Sequence, residues 1–268
     1  MAANAFVAAL PMYDWPEVQT ANDHFWSHLR DSLRAHGFPA PAGIERDVPA
    51  SDLWRDPNLV LGQTCGLPLV RDLTQRVCVV GTPAYDIACG AGSYYSVIVV
   101  HRDSAIAQVS DLRDKRFAYN SRCSQSGYAA PAYHLRELSA ETPLFSSTLQ
   151  SGSHRNSIRM VAGHEADVAA IDAVAWRLAE RHEPAAADLR VLSTTDPLPG
   201  LPMICARRAD WSTDRMHLAV VEAMAALEPE VADALLLSGF SPLSNSDYAI
   251  IAQRAEIADK ISLQSPAS

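Results

Sequence analysis

The run from Arg116 to Tyr128 restricts the fold more than any other stretch. Arg116 to Tyr119 reads as a short apolar strand, and about Tyr128 to Leu138 as a helix. Between them lies Asn120-Ser121-Arg122-Cys123-Ser124-Gln125-Ser126-Gly127. A strand that turns through small hydroxyl residues and a glycine into a helix is a βα unit. Such units build sheets with helices packed on their faces. The turn itself has two readings. Backbone N–H groups at a helix start, helped by serine hydroxyls, make a nest for a tetrahedral oxyanion. A serine in that position also caps a helix for local reasons alone.

The same grammar recurs along the chain. Ala5 to Leu10 reads as a strand, followed by a Pro11–Pro16 loop that carries Tyr13. Phe25, Trp26, Leu29 and Leu33 mark the apolar face of a helix running to about Ala35. Leu59 to Leu61 is a short strand ahead of Gln63-Thr64-Cys65-Gly66. A loop beyond a strand's carboxyl end faces the binding crevice of an open α/β sheet. Gln63 and Thr64 are therefore a candidate donor and hydroxyl for a ligand, against an ordinary turn. Arg76 to Val80 is a strand, and Gly81 to Ser93, with Pro83, a loop. Tyr94-Tyr95-Ser96 then leads into the buried strand Val97 to Val100, and only one of the two tyrosines faces a ligand because neighbours on a strand alternate.

Ser147 to Gln150 is the next strand, and Gly152-Ser153-His154 opens a helix bearing Ile158, Met160 and Val161. Val168 to Ile171 is a tightly packed strand with Asp172 at its tip, ahead of a helix from Ala173 to Arg181. Leu189 to Thr194 and Met203 to Ala206 flank a segment with three prolines between Pro197 and Pro202, which suits a rigid crossover. Helices follow from Trp211 to Ala226, from Pro229 to Leu237 with Gly239 as the stop, and from Tyr248 to Ile257. Phe240 to Asp247 is a loop, and the tail after Lys260 frays. The whole predicts an α/β chain of two lobes, residues 1–98 plus 201–268 and residues 99–200. Each lobe is a mixed sheet flanked by helices, and polar loops converge on a cleft between them.

Several classes are excluded. The formal charge of −9 and the absence of a basic tract argue against nucleic-acid binding. No run approaches the roughly eighteen apolar residues of a membrane span. The start lacks a basic leader region, so the location is periplasmic if a leader has been removed and cytoplasmic if Met1 is the native start. The five cysteines have no zinc spacing; Cys78 and Cys205 read as core, while Cys65 and Cys89 adjoin glycines and would pair only in an oxidising compartment. His24 and His28 lack an H-E-x-x-H context, and His164 with Glu165 and Asp167 is a poor metal cluster. No metal or cofactor is expected. Walker, dinucleotide, Cys-x-x-Cys and G-x-S-x-G motifs are absent, which favours binding over catalysis.

Taken together, Gln63-Thr64-Cys65-Gly66, Ser93-Tyr94-Tyr95-Ser96, Ser124-Gln125-Ser126-Gly127, Gly152-Ser153-His154 and Gly163-His164-Glu165-Ala166-Asp167-Val168-Ala169-Ala170 resemble the phosphate/phosphite/phosphonate substrate-binding proteins. These are PhnD-like solute receptors of ABC transporters, and the resemblance runs from about residue 5 to 250. It implies the type 2 periplasmic-binding fold, a small oxyanion ligand, a transporter permease as partner and a monomeric receptor that is not an enzyme. It also implies that Ser124, Gln125, Ser126, Gly127 and His154 hold the oxyanion and that Tyr94 lines the cleft. Tyr13, Gln63, Thr64 and Asp172 are secondary candidates. Two positions depart from the family pattern: Gln125 stands where a small hydroxyl residue is usual, and Val174 falls where some relatives carry an amine-reading carboxylate, with Asp172 nearby. A cytoplasmic metabolite sensor and an enzyme on the same two-lobed fold are the alternatives.

Overall fold

The computed structural model describes residues 5–140, 142–261 and 263. The tail expected to fray beyond Lys260 falls mostly outside them. The chain forms two compact α/β units. The first comprises residues 1–93 and 199–249, the second residues 94–198 and 250–268. These breaks differ from the expected ones at 98/99 and 200/201. Tyr94 belongs to the second unit, and so does the last helix, Ala249–Ala258, almost entirely.

The first unit is built on a five-stranded sheet. Its strands are β1 (Val7–Ala9), β2 (Leu59–Gln63), β3 (Val77–Tyr85), β11 (Met203–Ala206) and β12 (Leu237–Ser241), in the order β1-β2-β11-β3-β12. β1 and β2 are parallel, and the other pairs are antiparallel. The helix Gln19–Ala35 buries Phe25, Trp26, Leu29 and Leu33 as its periodicity predicts. It packs against the helix Thr213–Ala225, which buries Met216, Ala219, Val220 and Ala223. His36 and Glu222 join the two helices at 2.8 Å.

β3 overturns the loop expected from Gly81. It runs on to Tyr85, through both Gly81 and Pro83. The reason lies in the register. β11 ends opposite Gly81, at Met203, where the pairing is irregular. From Thr82 onward β3 pairs only with β12. Pro83, which has no N–H to give, therefore sits where one side of the strand has no ladder to serve. Gly81 has φ near 153°, and an added Cβ would lie 2.4 Å from the Phe240 ring. Gly239 was also misread as a helix stop. The helix Pro229–Ala234 ends through Leu236, which has φ of 57°, and Gly239 lies inside β12, which runs on into the start of the expected Phe240–Asp247 loop.

The second unit holds β5 (Ser96–His101), β6 (Arg116–Tyr119), β7 (Ser147–Gln150), β8 (Val168–Asp172) and β9 (Leu189–Thr194), in the order β7-β6-β8-β5-β9. β6 is parallel to β7 and β8, while β5 is antiparallel to β8 and β9. β8 is buried at every position, and the helix His154–Ala162 packs on it through Ile158 and Val161. Two short strands at the crossings, β4 (Ser93–Tyr94) and β10 (Leu198–Pro199), pair as a ribbon.

All five cysteines are free thiols, so no Cys65–Cys89 bond forms. Cys205 is buried opposite Cys78, and burial pushes its thiol up to about 12. Among the described residues no helix is long and apolar enough to cross a membrane, and no group of three potential metal ligands occurs.

Tyr248 closes the first unit. Its hydroxyl bonds Thr82 Oγ1 at 2.6 Å and donates to the Gly200 carbonyl at 2.8 Å, with no solvent access. Tyr248→Phe leaves both partners buried and unmatched, at a cost of about 1–3 kcal/mol. Urea unfolding followed by circular dichroism should detect that loss without a change in the native spectrum.

Candidate functional site

Three parallel strands place the second unit's polar turns. β6 and β7 run side by side, with Tyr119 opposite Gln150. The segments that leave their carboxyl ends must therefore start from the same edge of the sheet. One is the turn Ser124–Gly127 and the other is Gly152-Ser153-His154. β8, also parallel to β6, brings Asp172 to that edge, and antiparallel β5 starts there with Ser96 opposite Asp172. This is the switch-point geometry in which open α/β sheets bind ligands.

Hydrogen bonds fix the turns to one another. Gly152 N–H donates to the Asn120 carbonyl at 3.1 Å, and Ser151 N–H to Tyr119 at 2.8 Å. Ser96 Oγ, 1% exposed, donates to the Ser126 carbonyl at 2.8 Å. Ser126 Oγ and His154 Nε2 then meet at 3.0 Å. Residues 28 apart in sequence thus form one polar contact. Of the ten residues singled out in the sequence, seven (Tyr94, Ser124, Gln125, Ser126, Gly127, His154 and Asp172) belong to this unit.

The turn after β6 is a cap and a polar turn at once. Ser124 Oγ accepts from Gly127 N–H at 3.0 Å, leaving its own hydroxyl hydrogen to donate. Gln125–Ala129 is a wide π-type turn and Ala130–His134 a short α-helix, so the helix expected from Tyr128 to Leu138 starts earlier and ends sooner. Wide turns of this kind gather at functional positions. No side chain is admitted at Gly127, because a Cβ there would lie 2.0 Å from Asn120 Oδ1. Gln125 and Tyr94 are buried. Asp172 Oδ1 accepts from Val174 and Ala175 N–H at 2.8 and 3.1 Å, so that oxygen is committed to capping the helix Ala173–His182.

His154 is the electrostatic centre of the group. Ser153 caps its helix by accepting from Asn156 N–H at 3.1 Å. Part of the residue's surface is accessible, yet Nδ1 is enclosed by protein and meets no partner at full hydrogen-bond geometry. Burial pushes the imidazole down to about 4, against a smaller upward pull from the Ala170 backbone. The ring is therefore neutral near pH 7.

In the first unit, Tyr13, Gln63 and Thr64 lie at or just beyond the carboxyl ends of parallel β1 and β2. Tyr13 packs edge-on against Tyr85 with ring centroids 5.2 Å apart. Its loop is held by Asp14, which accepts from Asn22 Nδ2 at 2.9 Å and Arg46 Nε at 2.6 Å. Gln63, expected as a donor to a ligand, makes internal hydrogen bonds in this unit. Its amide hydrogens go to Tyr85 Oη at 2.9 Å and the Leu201 carbonyl at 3.2 Å. Thr64 is fully buried, and its hydroxyl donates to the Cys65 carbonyl at 3.4 Å. Tyr85 and Ser96 organise these clusters without having been candidates. Tyr85 lay in a stretch misread as loop, whereas Ser96 stood in plain view at a strand start.

Fold and site together define a two-lobed α/β binding protein with polar turns gathered at a sheet edge. Residues 70–248 match the model of the periplasmic substrate-binding proteins of phosphonate ABC transporters, and the chain belongs to that family. No curated protein sequence matches it. Among solved structures, PhnD1 from Prochlorococcus marinus (MIT 9301), in complex with methylphosphonate, is 18% identical with a TM-score of 0.75, covering 96% of this chain and 99% of that one. A binding protein component of an ABC phosphonate transporter from Pseudomonas aeruginosa is 18% identical with a TM-score of 0.72, covering 96% and 87%. XAC2383 from Xanthomonas citri, bound to ATP, is 20% identical with a TM-score of 0.65, covering 96% and 98%. At these identities the likeness concerns the fold.

The depressed His154 basicity has a consequence for stability. The unfolded chain binds this proton near the ordinary value of 6.5, the folded chain only near 4. Stability from this group is thus complete above about pH 6.5 and falls as pH drops toward 4, by at most about 3 kcal/mol. Unfolding midpoints at pH 7, 5.5 and 4.5 should decline in the native protein and decline less in His154→Gln.

Proposed function

We propose that the chain is a non-catalytic solute receptor that captures a phosphonate, phosphate or related small oxyanion and hands it to an ABC-transporter permease. The observation that carries the reading is the 3.0 Å meeting of Ser126 and His154 at the edge where β6, β7 and β8 end. Ser124, Ser126 and His154 then hold the anion's oxygens, with Gln125 and Gly127 completing the turn. Tyr94 lines the organic part of the solute. Asp172 supports the backbone beside the site, while Gln63 and Thr64 hold backbone within the first unit. The family's periplasmic character supports an exported receptor, and the methylphosphonate held by the Prochlorococcus protein supports the ligand class.

The test is calorimetry on protein unfolded and refolded to strip any copurified solute, titrated with methylphosphonate and with phosphate. A receptor binds one equivalent and leaves it chemically unchanged by phosphorus NMR. Ser126→Ala and His154→Ala should each keep the native circular dichroism and weaken binding by about 10- to 150-fold, the worth of one charge-assisted hydrogen bond. Native affinity in both variants would reject the site, and turnover of the ligand would reject the non-catalytic reading.

A further inference from the structure

Two thiols of the first unit stand directly across a strand pair. β3 and β11 run antiparallel, with Cys205 opposite Cys78. Residues directly opposite one another project from the same face of a sheet, so both sulfurs lie on one side of it. Arg207 N–H donates to the Arg76 carbonyl at 2.8 Å, two residues further along each strand. Antiparallel pairing alternates, so Cys78 and Cys205 are a hydrogen-bonded pair too, with Cα atoms about 5.5 Å apart. Disulfides favour that separation, and one above about 7 Å would forbid the bond. The Cβ atoms of such a pair stand about 5 Å apart and a disulfide draws them to about 4 Å, so closure strains the ladder. A strained disulfide is readily reduced again. The other three thiols lack this placement. Cys65 lies just beyond β2, Cys89 beyond β3 and Cys123 beyond β6.

The two thiols differ in access. Cys205 is 1% exposed, whereas Cys78 is only half-buried. A dissolved disulfide therefore reaches Cys78 first. The register is regular at this point, since the irregularity of the β3–β11 ladder falls between Met203 and Ile204. The family is periplasmic, and disulfides form and persist in that compartment.

We propose that Cys78 and Cys205 are a redox-active pair that closes into a reversible cross-strand disulfide by exchange with a small-molecule disulfide. The Cys78 thiolate attacks one sulfur of that molecule, forms a mixed disulfide and expels the other half as a thiolate. The Cys205 thiol gives up its proton, attacks the Cys78 sulfur and expels the second half. Two electrons pass from the cysteine pair to the small disulfide, which leaves as two thiols carrying the two protons. Cys205 needs no access to solvent, because its partner brings the reacting sulfur to it. The new bond closes a loop that contains every strand of the second unit's sheet. While it holds, β3 and β11 cannot separate at that position.

The test treats the native full chain with oxidised glutathione at about pH 8, where thiolate is available. The reaction is quenched with acid, free thiols are trapped with N-ethylmaleimide in denaturant, and the chain is mapped by mass spectrometry. Cys78 and Cys205 should escape trapping and appear as one linked peptide pair within a single chain, and dithiothreitol should restore both. Cys89→Ser should keep the linkage, which sets Cys89 aside as the partner. Cys205→Ala should leave Cys78 carrying glutathione, and Cys78→Ser should leave Cys205 unmodified. Trapping of both thiols in the native chain, glutathione retained on Cys78 with Cys205 present, a linkage between two chains, or a linked Cys205 in Cys78→Ser overturns the proposal.

Discussion

Parallel pairing of β6 with β7 and β8 obliges chain segments far apart in sequence to end at one edge of a sheet. The backbone ladder does this without help from the side chains, and those side chains then need only short reach to meet. Ser126 and His154 are close because Tyr119 lies opposite Gln150, two strand ends earlier. The bonds from Gly152 to Asn120 and from Ser96 to Ser126 hold the turns at that spacing. Because these polar groups are enclosed, leaving any of them unmatched is costly, and the arrangement is correspondingly well determined.

The chain carries a formal charge of −9, yet its family takes anions. The contradiction disappears at the level of the site. The groups gathered at the edge are hydroxyls, an imidazole and helix-starting turns, and the one carboxylate among them, Asp172, accepts backbone N–H groups of its own helix. Several arginines are spent on carboxylates elsewhere. Arg116 is bidentate to Asp167 at the opposite end of β6, and Arg155 and Arg159 converge on the buried Glu183. Oriented dipoles rather than net charge decide what such a turn accepts.

Much of this was legible in the residues. Val97 to Val100 and Val168 to Ile171 are uninterrupted apolar runs, and a buried central strand produces that pattern. Gly152-Ser153-His154 announced its helix, and Ser153 caps it with its side chain. Misreadings arose where a residue's local habit was overruled by its neighbours. Gly81 and Pro83 look like breakers, but the end of β11 leaves β3 free to carry them. Gly239 looks like a helix stop, but Leu236 takes the left-handed backbone instead. The engagement of Gln63 with Tyr85 had no local signature, since the two lie 22 residues apart and meet only once the sheet exists. Which unit claims the last helix was equally hidden, because amphipathicity names a buried face and not the partner that buries it.

That last helix means the backbone passes from one unit to the other three times, near residues 93, 198 and 249. Neither unit is a continuous stretch of polypeptide. On the ribosome, the strand-rich middle of the chain emerges well before the C-terminal segment that completes it, and β1 to β3 emerge long before β11 can slot between β2 and β3. The nascent chain therefore keeps the first unit's sheet unfinished, with strand edges exposed, until β11 and β12 emerge, whereas the second unit has all five strands by residue 194 and waits only for its last helix.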